Sequence, residues 1–370
     1  MIKLLMIIWS LEKGGAERFL VSLLKHIDRN QIEPTVCCLN WEGEWAKELE
    51  DKGIKVIALN KKSGFDLQTL IKLIKLIKKE KFDIVNTHLW GADVTGRLAA
   101  IITNTPIIIS TAQNVDIWKK WWHRIIDRIL SYKTDMIIAV SEAVRDYYHR
   151  EVGIPLKKIT IIPNAVEIEK YDNVGDVSYL YDELGLTSND FILSCIGRLT
   201  EQKGQRYLLE SIAQLQPESS NLKVLFVGSG EDENKLKEMA KKADIDRTVR
   251  FLGYRQDIPQ ILHLSKGLVL PSLYEGLPVC VLEAMAAERP VIVTKIGGIE
   301  GLVRDNETGF IVIPRNAEAL TIAIRKLINL GDRDKKMGMG GKDIVINNYS
   351  IQSIARKTAD LYTLLTKIIP

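Results

Sequence analysis

The sequence contains few cysteines and no long uninterrupted apolar run. Four cysteines occur in 370 residues, none of them in a C-x-x-C pair, so we expect reduced, buried thiols and no disulfide framework. No segment reaches the roughly 20 apolar residues that a membrane-spanning helix needs, and the opening stretch MIKLLMIIWS is too short for a signal peptide. Together these absences predict a cytoplasmic protein.

An excess of charge of one sign is also missing. The formal net charge is +4, with 51 basic and 47 acidic residues mixed along the chain, which gives no indication of a nucleic-acid partner. The hydrophobic content of 46% and the charged content of 26% are typical of a globular protein. The length is sufficient for two domains, each with its own core.

Short apolar runs alternate with longer segments of helical periodicity along the whole chain. The first half contains predicted strands such as IKLLMIIW, PTVCCLN and DMIIAVS, and the second half repeats the rhythm with FILSCIG, LKVLFVG and GLVLPS. This alternation predicts parallel sheets covered by helices on both faces. The pattern weakens between about residues 166 and 186, where we place the domain boundary, with one domain at 1–168 and the other at 169–349.

Glycines occupy the turn after the first predicted strand. Gly14 and Gly15 would let the backbone approach a ligand there, at a helix N-terminus that favours anions; a tight strand-to-helix turn is the alternative. The turn is not a G-x-G-x-x-G fingerprint. Gly228-Ser-Gly230 lacks the third glycine as well, so neither site predicts a dinucleotide cofactor.

Two cations flank the loop after the first strand of the second half. In IGRLTEQKG, Arg198 and Lys203 precede Gly204 and the predicted helix QRYLLESIAQL. Arg binds phosphate oxygens in a bidentate manner, and Lys acts as a point charge. This arrangement favours a phosphate site at the carboxyl edge of the sheet, with solvated surface cations as the alternative.

Two glutamates lie eight positions apart in PSLYEGLPVCVLEAMA. Glu275 follows the predicted strand GLVLPS, Pro278 is expected to open a helix, and the N–H groups of Gly276 and Leu277 can meet an anion. The helix around Glu283 is apolar on nearly all sides, where an unpartnered carboxylate is costly. The carboxylates could accept hydrogen bonds from hydroxyls at both ends of a sugar nucleotide; a helix-dipole contact and a solvated glutamate are the alternative.

These segments resemble a known enzyme family. GGAER, GRLTEQKG, AVSEAVRDYY, IIPNAVE and EGLPVCVLEAMAAERPVIVTKIGGIEGLV resemble the retaining glycosyltransferases of family 4, with an E-x7-E motif, and the resemblance covers essentially the whole chain. It implies the GT-B fold, an α/β architecture of two facing Rossmann-like domains with parallel sheets. In that fold the final helix, about residues 350–370, crosses back to the N-terminal acceptor-side domain, and 169–349 bind the donor.

The resemblance also implies a role for each matching residue of the second half. Glu283 would bind the ribose hydroxyls of the donor, and Glu275 would contact the hydroxyls of the transferred sugar. The backbone N–H groups of Gly276 and Leu277 would meet the donor as well. Six further residues would surround the diphosphate and the base: Arg198 and Lys203 as counter-charges, Gly14 and Gly15 from the opposite domain, and the backbone near Tyr254 and Arg255 at the base.

Three matches in the first half depart from the family pattern or have two readings. His88, in NTHLWGAD, matches a family histidine near the acceptor cleft, for which we consider a catalytic and a structural role. In STAQN, Gln113 or Asn114 stands where many members have a histidine that contacts the donor sugar. An amide accepts a hydroxyl hydrogen bond but transfers no proton, so no catalytic histidine is carried over. Ala165 replaces the usual glycine of the IIPNAVE loop.

The resemblance implies a hexosyltransferase-type activity. A sugar would move from a UDP- or GDP-sugar to a glycan or lipid-linked acceptor, with retention of anomeric configuration, by a same-face displacement that the leaving phosphate assists. No cofactor and no metal are expected, since no DxD-like acidic cluster is found. A sugar-nucleotide epimerase, a phosphorylase and a non-catalytic sugar-nucleotide-binding subunit remain as alternatives on the same fold.

One segment of the first half combines tryptophans with basic residues. DIWKKWWHRIIDRILSYK interleaves Trp118, Trp121 and Trp122 with lysine, histidine and arginine. A basic amphipathic stretch of this kind can lie at a membrane surface, whereas tryptophans in folded domains more often pack in a core or line a cleft. The sequence therefore leaves peripheral contact with the inner face of a membrane as one expectation and an acceptor cleft as the other.

Overall fold

A computed structural model describes residues 1–12, 14–61, 66–216, 221–331 and 333–369. The chain divides into two compact units, one formed by Met1–Ala165 with Ile351–Pro370 and the other by Val166–Ser350. Each unit contains one parallel sheet with helices packed on it. The sequence placed the boundary after residue 168, whereas the structure places it after Ala165.

The first unit alternates strands and helices in chain order. Its elements are β1 (Ile2–Ile8), α1 (Gly15–His26), β2 (Ile32–Cys38), α2 (Ala46–Glu50), β3 (Lys55–Ala58), α3 (Leu67–Glu80), β4 (Ile84–His88), α4 (Trp90–Ile102), β5 (Ile107–Ala112), α5 (Trp121–Ser131), β6 (Met136–Ala139), α6 (Glu142–Tyr147) and β7 (Ile159–Ile161). The seven strands are arranged in the order β3-β2-β1-β4-β5-β6-β7. The order therefore reverses between β1 and β4, which pair directly.

The second unit repeats this plan. Its elements are α7 (Glu169–Asp172), α8 (Tyr179–Leu184), β8 (Phe191–Ile196), α9 (Gln205–Leu215), β9 (Leu222–Val227), α10 (Glu233–Lys242), β10 (Val249–Gly253), α11 (Ile258–Leu264), β11 (Gly267–Leu270), α12 (Val279–Ala286), β12 (Val291–Thr294), β13 (Gly309–Val312), α13 (Ala317–Ile328) and α14 (Arg333–Asn348). The strand order is β10-β9-β8-β11-β12-β13, with the reversal between β8 and β11.

The C-terminal helix α15 (Ile351–Ile368) belongs to the first unit, as the sequence predicted. Its buried face, which includes Ile354 and Tyr362, joins the same apolar cluster as Leu4 of β1 and Leu24 of α1. The buried Asn86 amide of β4 donates to the hydroxyl of Tyr362 at 2.7 Å. Apolar burial together with one satisfied polar contact fixes the helix on this unit.

The cores consist of strand residues and the inward faces of the helices. Strands buried on both faces carry near-continuous aliphatic runs, as parallel sheets require. All four cysteines, at positions 37, 38, 195 and 280, are buried and free, which confirms the sequence-based interpretation. Burial raises the pKa of the Cys38 and Cys280 thiols to about 12, so both are protonated and inert at neutral pH.

Candidate functional site

The candidate site of the second unit lies where its strand order reverses. β8 and β11 are neighbours in the sheet, but the chain continues from them in opposite directions, toward β9 on one side and β12 on the other. In open parallel sheets, the loops that follow two such strands diverge and leave a crevice at their carboxyl ends, where ligands bind. The loop after β8 carries Arg198 and Lys203, and the loop after β11 carries Glu275 and Gly276.

Backbone contacts bind these two loops to one another. Gln202 accepts a hydrogen bond from the Leu273 N–H at 2.7 Å, and its side-chain amide donates to the Tyr274 carbonyl at 3.0 Å. Gly204 adopts φ +63°, and a Cβ there would lie 2.2 Å from the Pro271 carbonyl oxygen. Glycine is therefore required both by the backbone conformation and by the close approach of the loops.

An ion pair completes the connection between the loops. The Lys203 ammonium lies 2.6 Å from the Glu275 Oε1, and the Ser272 hydroxyl donates to the same oxygen at 2.7 Å. Burial opposes a charge on Lys203, but the Glu275 carboxylate more than compensates, and the pKa of Lys203 is raised. The sequence predicted both residues as site residues without predicting that they pair.

Arg198 is the cation whose side chain is not paired within the described chain. It is exposed, and only its carbonyl oxygen is engaged, by the Gln205 side-chain amide at 2.8 Å. Its charge is close enough to Lys203 to disfavour a second positive charge there. With Lys203 paired to Glu275, Arg198 is the cation of this site that remains for an anionic ligand.

The glycines after β9 allow its loop to pack against the Arg198 loop. Gly228 has φ +131°, and a Cβ there would meet the Gly197 carbonyl at 2.2 Å. A Cβ on Gly230 would meet the Leu199 carbonyl at the same distance. Glycine at both positions therefore permits the close contact between the loop after β9 and the Arg198 loop.

The helix that carries Glu283 begins one residue later than expected. Pro278 is the N-cap of α12 and Val279 its first residue, because Pro278 has an extended backbone at ψ 115°. The N–H of Gly276 donates no hydrogen bond within the described part of the chain. The Gly276 carbonyl is covered by Gly298, where φ is +85° and a Cβ would lie 1.9 Å from that oxygen.

Glu283 is buried, as the apolar surroundings of its helix predicted, with 5% of its surface exposed. The hydroxyl of Tyr171 donates to its Oε1 at 2.9 Å. Tyr171 is itself fixed through its carbonyl oxygen, which lies 3.0 Å from the His263 Nε2. A carboxylate has about four lone-pair positions, so Glu283 can accept further hydrogen bonds beside that of Tyr171.

Arg255, proposed for the base, is engaged in ion pairs. Its guanidinium makes a bidentate contact with Asp257, at 2.8 and 2.6 Å, and also pairs with Glu183. These partners raise the pKa of Arg255 and leave its side chain little freedom to meet a ligand. The guanidinium of Arg255 is therefore committed to these two carboxylates.

The first unit has its own crevice position, between β1 and β4. Gly14 is the N-cap of α1 and Gly15 its first residue, and His88 ends β4. Both segments therefore follow the two strands at which the order reverses. Gly14 has φ −131°, a conformation open to any residue, so the backbone alone does not require glycine at this position.

His88 is buried, with 1% of its surface exposed, and neither ring nitrogen has a partner among the described residues. Burial lowers its pKa to about 4, so the ring is neutral at physiological pH. Leu89, the next residue, has φ 64°, a strained conformation for a leucine.

Two further buried polar groups near His88 lack partners in the described chain. These are the indole N–H of Trp90 and both amide atoms of Gln113, which follows β5, the neighbour of β4. Asn114 differs, because its side-chain oxygen accepts the Val115 N–H at 2.8 Å. Buried polar groups are nearly always satisfied, so this cluster has the character of a binding site.

Sequence reasoning missed several residues that the structure brings to these edges. Tyr171 lies in a segment interpreted as irregular, where the structure has the short helices α7 and α8. Gln202 directly precedes Lys203, and Ser272 lies three positions before Glu275, yet nothing in the spacing indicated their contacts. Trp90 follows His88 by two positions, and a tryptophan so close to the end of a strand was the available sequence signal for a contact with His88's surroundings.

The described residues contain no group of three or more His, Cys, Asp or Glu side chains that could hold a metal ion. Within the same ranges, no helix combines the length and the apolar character needed to span a bilayer.

Comparison with known families assigns both halves of the chain. Residues 13–170 match the model of Glycosyltransferase Family 4, and residues 181–344 match that of Glycosyl transferases group 1. The first model spans the unit with Gly14, His88 and Gln113, and the second spans the unit with Lys203 and Glu275.

Full-length relatives agree with these matches. The chain is 32% identical over 319 residues to the UDP-Gal:alpha-D-GlcNAc-diphosphoundecaprenol alpha-1,3-galactosyltransferase of Escherichia coli, covering 80% of this chain and 79% of that one. It is 29% identical over 351 residues to the capsular polysaccharide biosynthesis glycosyltransferase CapM of Staphylococcus aureus, covering 88% and 89%. The crystal structure of Anabaena HepE with UDP and glucose has the same fold, with a TM-score of 0.87, 23% identity and coverage of 98% and 100%.

The burial of His88 predicts an unusual titration. Its pKa of about 4 lies below the usual value near 6.5, so between these values the unfolded chain binds the proton and the folded chain does not. The stability contributed by a neutral His88 is complete above about pH 6.5 and is lost as the pH falls toward 4. In NMR spectra of histidine-labelled protein, the His88 resonance is assigned by its loss in His88→Gln. At pH 5.5 its chemical shift should still be that of a neutral imidazole. Titration of all five histidines between pH 6 and 7 would contradict this expectation.

The Lys203–Glu275 pair predicts non-additive losses of stability. Lys203→Met and Glu275→Gln should each lower the free energy of unfolding, by about 3 kcal/mol where the remaining charge stays buried. The loss of unfolding free energy in the double variant should be smaller than the sum of the two single losses by about 1–3 kcal/mol, because neither charge is then buried without its partner. Urea unfolding of the four proteins measures this coupling. A coupling below about 0.3 kcal/mol would mean that the pair does not hold the loops together.

Proposed function

Because this chain belongs to the group 1 and family 4 glycosyltransferases, which have the GT-B fold and use nucleotide sugars, we propose that it transfers a hexose from a UDP- or GDP-sugar to a glycan or lipid-linked acceptor. The observation that carries the proposal is the cluster at the β8–β11 reversal. There an exposed Arg198, the paired Lys203 and Glu275, and the buried Glu283 meet at the end of one sheet.

The proposed reaction exchanges one bond at the anomeric carbon of the sugar. The bond from that carbon to the β-phosphate oxygen breaks, and a bond to an acceptor hydroxyl oxygen forms on the same face, which retains the configuration. The hydroxyl proton passes to the departing phosphate oxygen, so the nucleoside diphosphate leaves with it. No protein nucleophile takes part, and the role of the residues is to bind, orient and stabilise charge.

Arg198 and Lys203 are assigned to the departing diphosphate. Negative charge grows on the phosphate oxygens as the anomeric bond breaks, and fixed cations in a partly buried crevice stabilise it without reorganisation. Arg198 is free to form a bidentate contact, whereas Lys203 is held in place by Glu275. We propose that these cations replace a divalent metal, so that the transfer is metal-independent.

The two glutamates are assigned to the hydroxyl groups of the donor. Glu275 would contact the transferred sugar, and its orientation is supported by Lys203 and Ser272. Glu283 would accept hydrogen bonds from the ribose, with Tyr171 holding one of its oxygens. The N–H groups of Gly276 and Leu277 would contact the donor between them.

The base would lie at the loop after β10. Arg255 is held by two carboxylates, which supports recognition through the backbone near Tyr254 and Arg255 rather than through the guanidinium. Backbone groups offer fixed donors and acceptors, and these suit the edge of a nucleobase.

The first unit is assigned contacts with the donor as well as with the acceptor. Gly14 and Gly15 would allow a close backbone approach to the donor diphosphate; the backbone conformation of Gly14 does not itself require glycine. The unpartnered amide of Gln113, with Asn114 beside it, would hydrogen-bond sugar hydroxyls. His88, kept neutral by burial, fits a hydrogen-bonding role in catalysis and not a proton-transfer role, because its pKa of about 4 is far from neutral pH.

The relatives support a cell-envelope product. The Escherichia coli relative is named for a diphosphoundecaprenol-linked acceptor, and the Staphylococcus aureus relative for capsular polysaccharide biosynthesis. We propose a similar role in polysaccharide biosynthesis. The four buried free thiols fit a reducing compartment, which supports a cytoplasmic location at the inner face of the membrane.

The decisive test measures turnover, metal dependence and stereochemistry together. A panel of UDP- and GDP-sugars is incubated with acceptor, with and without a chelator, and the anomeric configuration of the product is read by NMR. Wild-type protein should form a product of retained configuration at equal rate in both conditions. Arg198→Ala should lower kcat by roughly 10²–10³, since it removes a fixed charge from the departing diphosphate.

Arg206→Ala is the matched control, because Arg206 is a neighbouring arginine that pairs with Glu210 on the surface of α9. It should retain normal kcat. Epimerised or hydrolysed donor without transfer would indicate an epimerase, and phosphate-dependent cleavage of a glycan would indicate a phosphorylase. Tight donor binding without turnover on any acceptor would favour the binding subunit.

The Tyr171–Glu283 contact predicts a ribose-dependent loss of affinity. Tyr171→Phe should weaken binding of the preferred nucleoside diphosphate about three- to tenfold, because Glu283 loses the hydrogen bond that orients it. The same substitution should barely affect binding of the 2′,3′-dideoxy nucleotide, which offers Glu283 no hydroxyl. Calorimetric titration of both ligands gives the comparison. Tyr362→Phe, which removes another buried and hydrogen-bonded hydroxyl, is the control for general destabilisation. Equal losses for both ligands would remove Tyr171 from ribose recognition.

A further inference from the structure

The first unit exposes a continuous apolar surface along α5 and the loop before it. Its exposed side chains are Trp118, Trp121, Trp122, Ile125, Ile129 and Tyr132. Trp121 is 73% exposed and Ile129 is 61% exposed. Neither packs in the core, although tryptophans in folded domains are usually buried. We refer to these six residues as the aromatic face.

The exposed charges that α5 and the loop before it contribute, between positions 117 and 133, are of one sign. Lys120, Arg128 and Lys133 are exposed beside it, and the sole acidic residue between positions 117 and 133 is Asp127, which is fully buried. Arg124 is paired with Glu151 at 2.8 Å. The surface therefore combines exposed indole and aliphatic groups with a rim of cations.

A buried network of charges holds this surface in its orientation. Arg97 of α4 pairs with Asp127 of α5 at 2.7 Å and also with Asp93. Lys119, in the loop before α5, pairs with Asp127 and Asp116 at 2.8 Å each. Burial opposes the charge on Lys119, but the surrounding groups, including both carboxylates, raise its pKa, so the network stays charged.

The network also reaches the carboxyl edge of the sheet. The Thr87 hydroxyl, next to His88, donates to Asp93. Trp90, two residues after His88, makes edge contacts with Trp118 and Trp122, with ring centroids 5.7 and 6.0 Å apart. The aromatic face is thus continuous with the end of β4, where His88 lies.

We propose that the aromatic face docks on the surface of an anionic lipid bilayer, so that the acceptor edge at His88 receives an acceptor anchored in that bilayer. This inference rests on the proposed glycosyltransferase function and adds to it the class of acceptor and the surface that meets it. Tryptophans and tyrosines lie at the headgroup level, aliphatic side chains insert below them, and the basic rim pairs with anionic headgroups.

The charge pattern favours a bilayer over a second copy of the chain. A symmetric dimer through the aromatic face would bring the same exposed cations, Lys120, Arg128 and Lys133, toward one another without exposed carboxylates from α5 to neutralise them. An anionic headgroup layer supplies that counter-charge. The amphipathic helix, aromatic on one face and basic at its rim, matches the pattern of helices that lie in the interface plane.

The first experiment measures binding to vesicles. Full-length wild-type protein should sediment with vesicles of equal parts phosphatidylglycerol and phosphatidylcholine, and less with phosphatidylcholine alone or at high salt. Trp121→Ser with Ile129→Ser should reduce the partition coefficient about tenfold or more, because two inserting side chains are lost. Trp41→Ser is the matched control, since Trp41 is a 44% exposed tryptophan of the same unit outside the aromatic face, and its partition should not change.

The second experiment separates this inference from the proposed function. The double variant should bind the nucleotide donor as the wild type does and should transfer normally to a water-soluble acceptor analogue. Its transfer to N-acetylglucosaminyl diphosphoundecaprenol in vesicles, the type of acceptor for which the Escherichia coli relative is named, should fall about tenfold or more.

Three outcomes would overturn the docking proposal: no vesicle binding by wild type, equal binding by the double variant, or a wild-type dimer that the double variant converts to monomer without any lipid binding. Vesicle binding by wild type with no donor binding and no transfer would instead refute the proposed function and leave the docking surface standing.

Discussion

The ion pair between Lys203 and Glu275 joins the two loops on which the candidate site depends. The two loops leave the same edge of the sheet, but one runs toward β9 and the other toward β12, on opposite sides. The sheet itself therefore does not keep the tips of the loops together. The 2.6 Å contact, the two hydrogen bonds of Gln202 and the glycine at position 204 supply that constraint. Because Lys203 is engaged by Glu275, Arg198 is the cation that an anionic ligand can engage without first breaking a side-chain contact within the described residues.

The two units present different chemistry at equivalent positions of their sheets. In the second unit the polar groups at the reversal are charged and mostly paired with one another. In the first unit they are neutral, and His88, Trp90 and Gln113 have buried atoms without partners in the described chain. Charged, pre-paired groups suit a ligand that brings phosphates, because their geometry is already fixed. Neutral unsatisfied groups suit hydroxyls, which donate and accept without changing the charge of the site.

The sequence predicted the features that depend on local pattern. Alternating strands and helices indicated two parallel sheets, and the apolar surroundings of Glu283 indicated its burial. Contacts between distant segments were not predictable in the same way. Lys203 and Glu275 are far apart in the chain, and their pairing follows from strand order, which periodicity does not encode. Tyr171 lies in a segment without core pattern. For the tryptophans of the aromatic face, the general tendency of tryptophan to be buried favoured a core or cleft position. The structure instead exposes Trp118, Trp121 and Trp122, and exposed apolar patches of this kind are typical of interaction surfaces.

Tyr171 also lies close to the points at which the chain passes between the units. The chain leaves the first unit after Ala165 and returns to it at Ile351, and within the second unit the Val166 N–H donates to the Tyr349 carbonyl at 3.0 Å. The two passages are therefore tied together five residues before Tyr171. Glu283 can accept a ligand hydroxyl while it keeps the Tyr171 hydrogen bond, because its second oxygen and remaining lone pairs are not used by that bond. A ligand that leaves the Tyr171 hydrogen bond in place has no differential affinity for alternative conformations of the Tyr171 side chain, so it does not shift the connecting segment through this residue. Tyr171 is thus best understood as a fixed support that orients Glu283 before the ligand arrives, which lowers the ordering cost of binding.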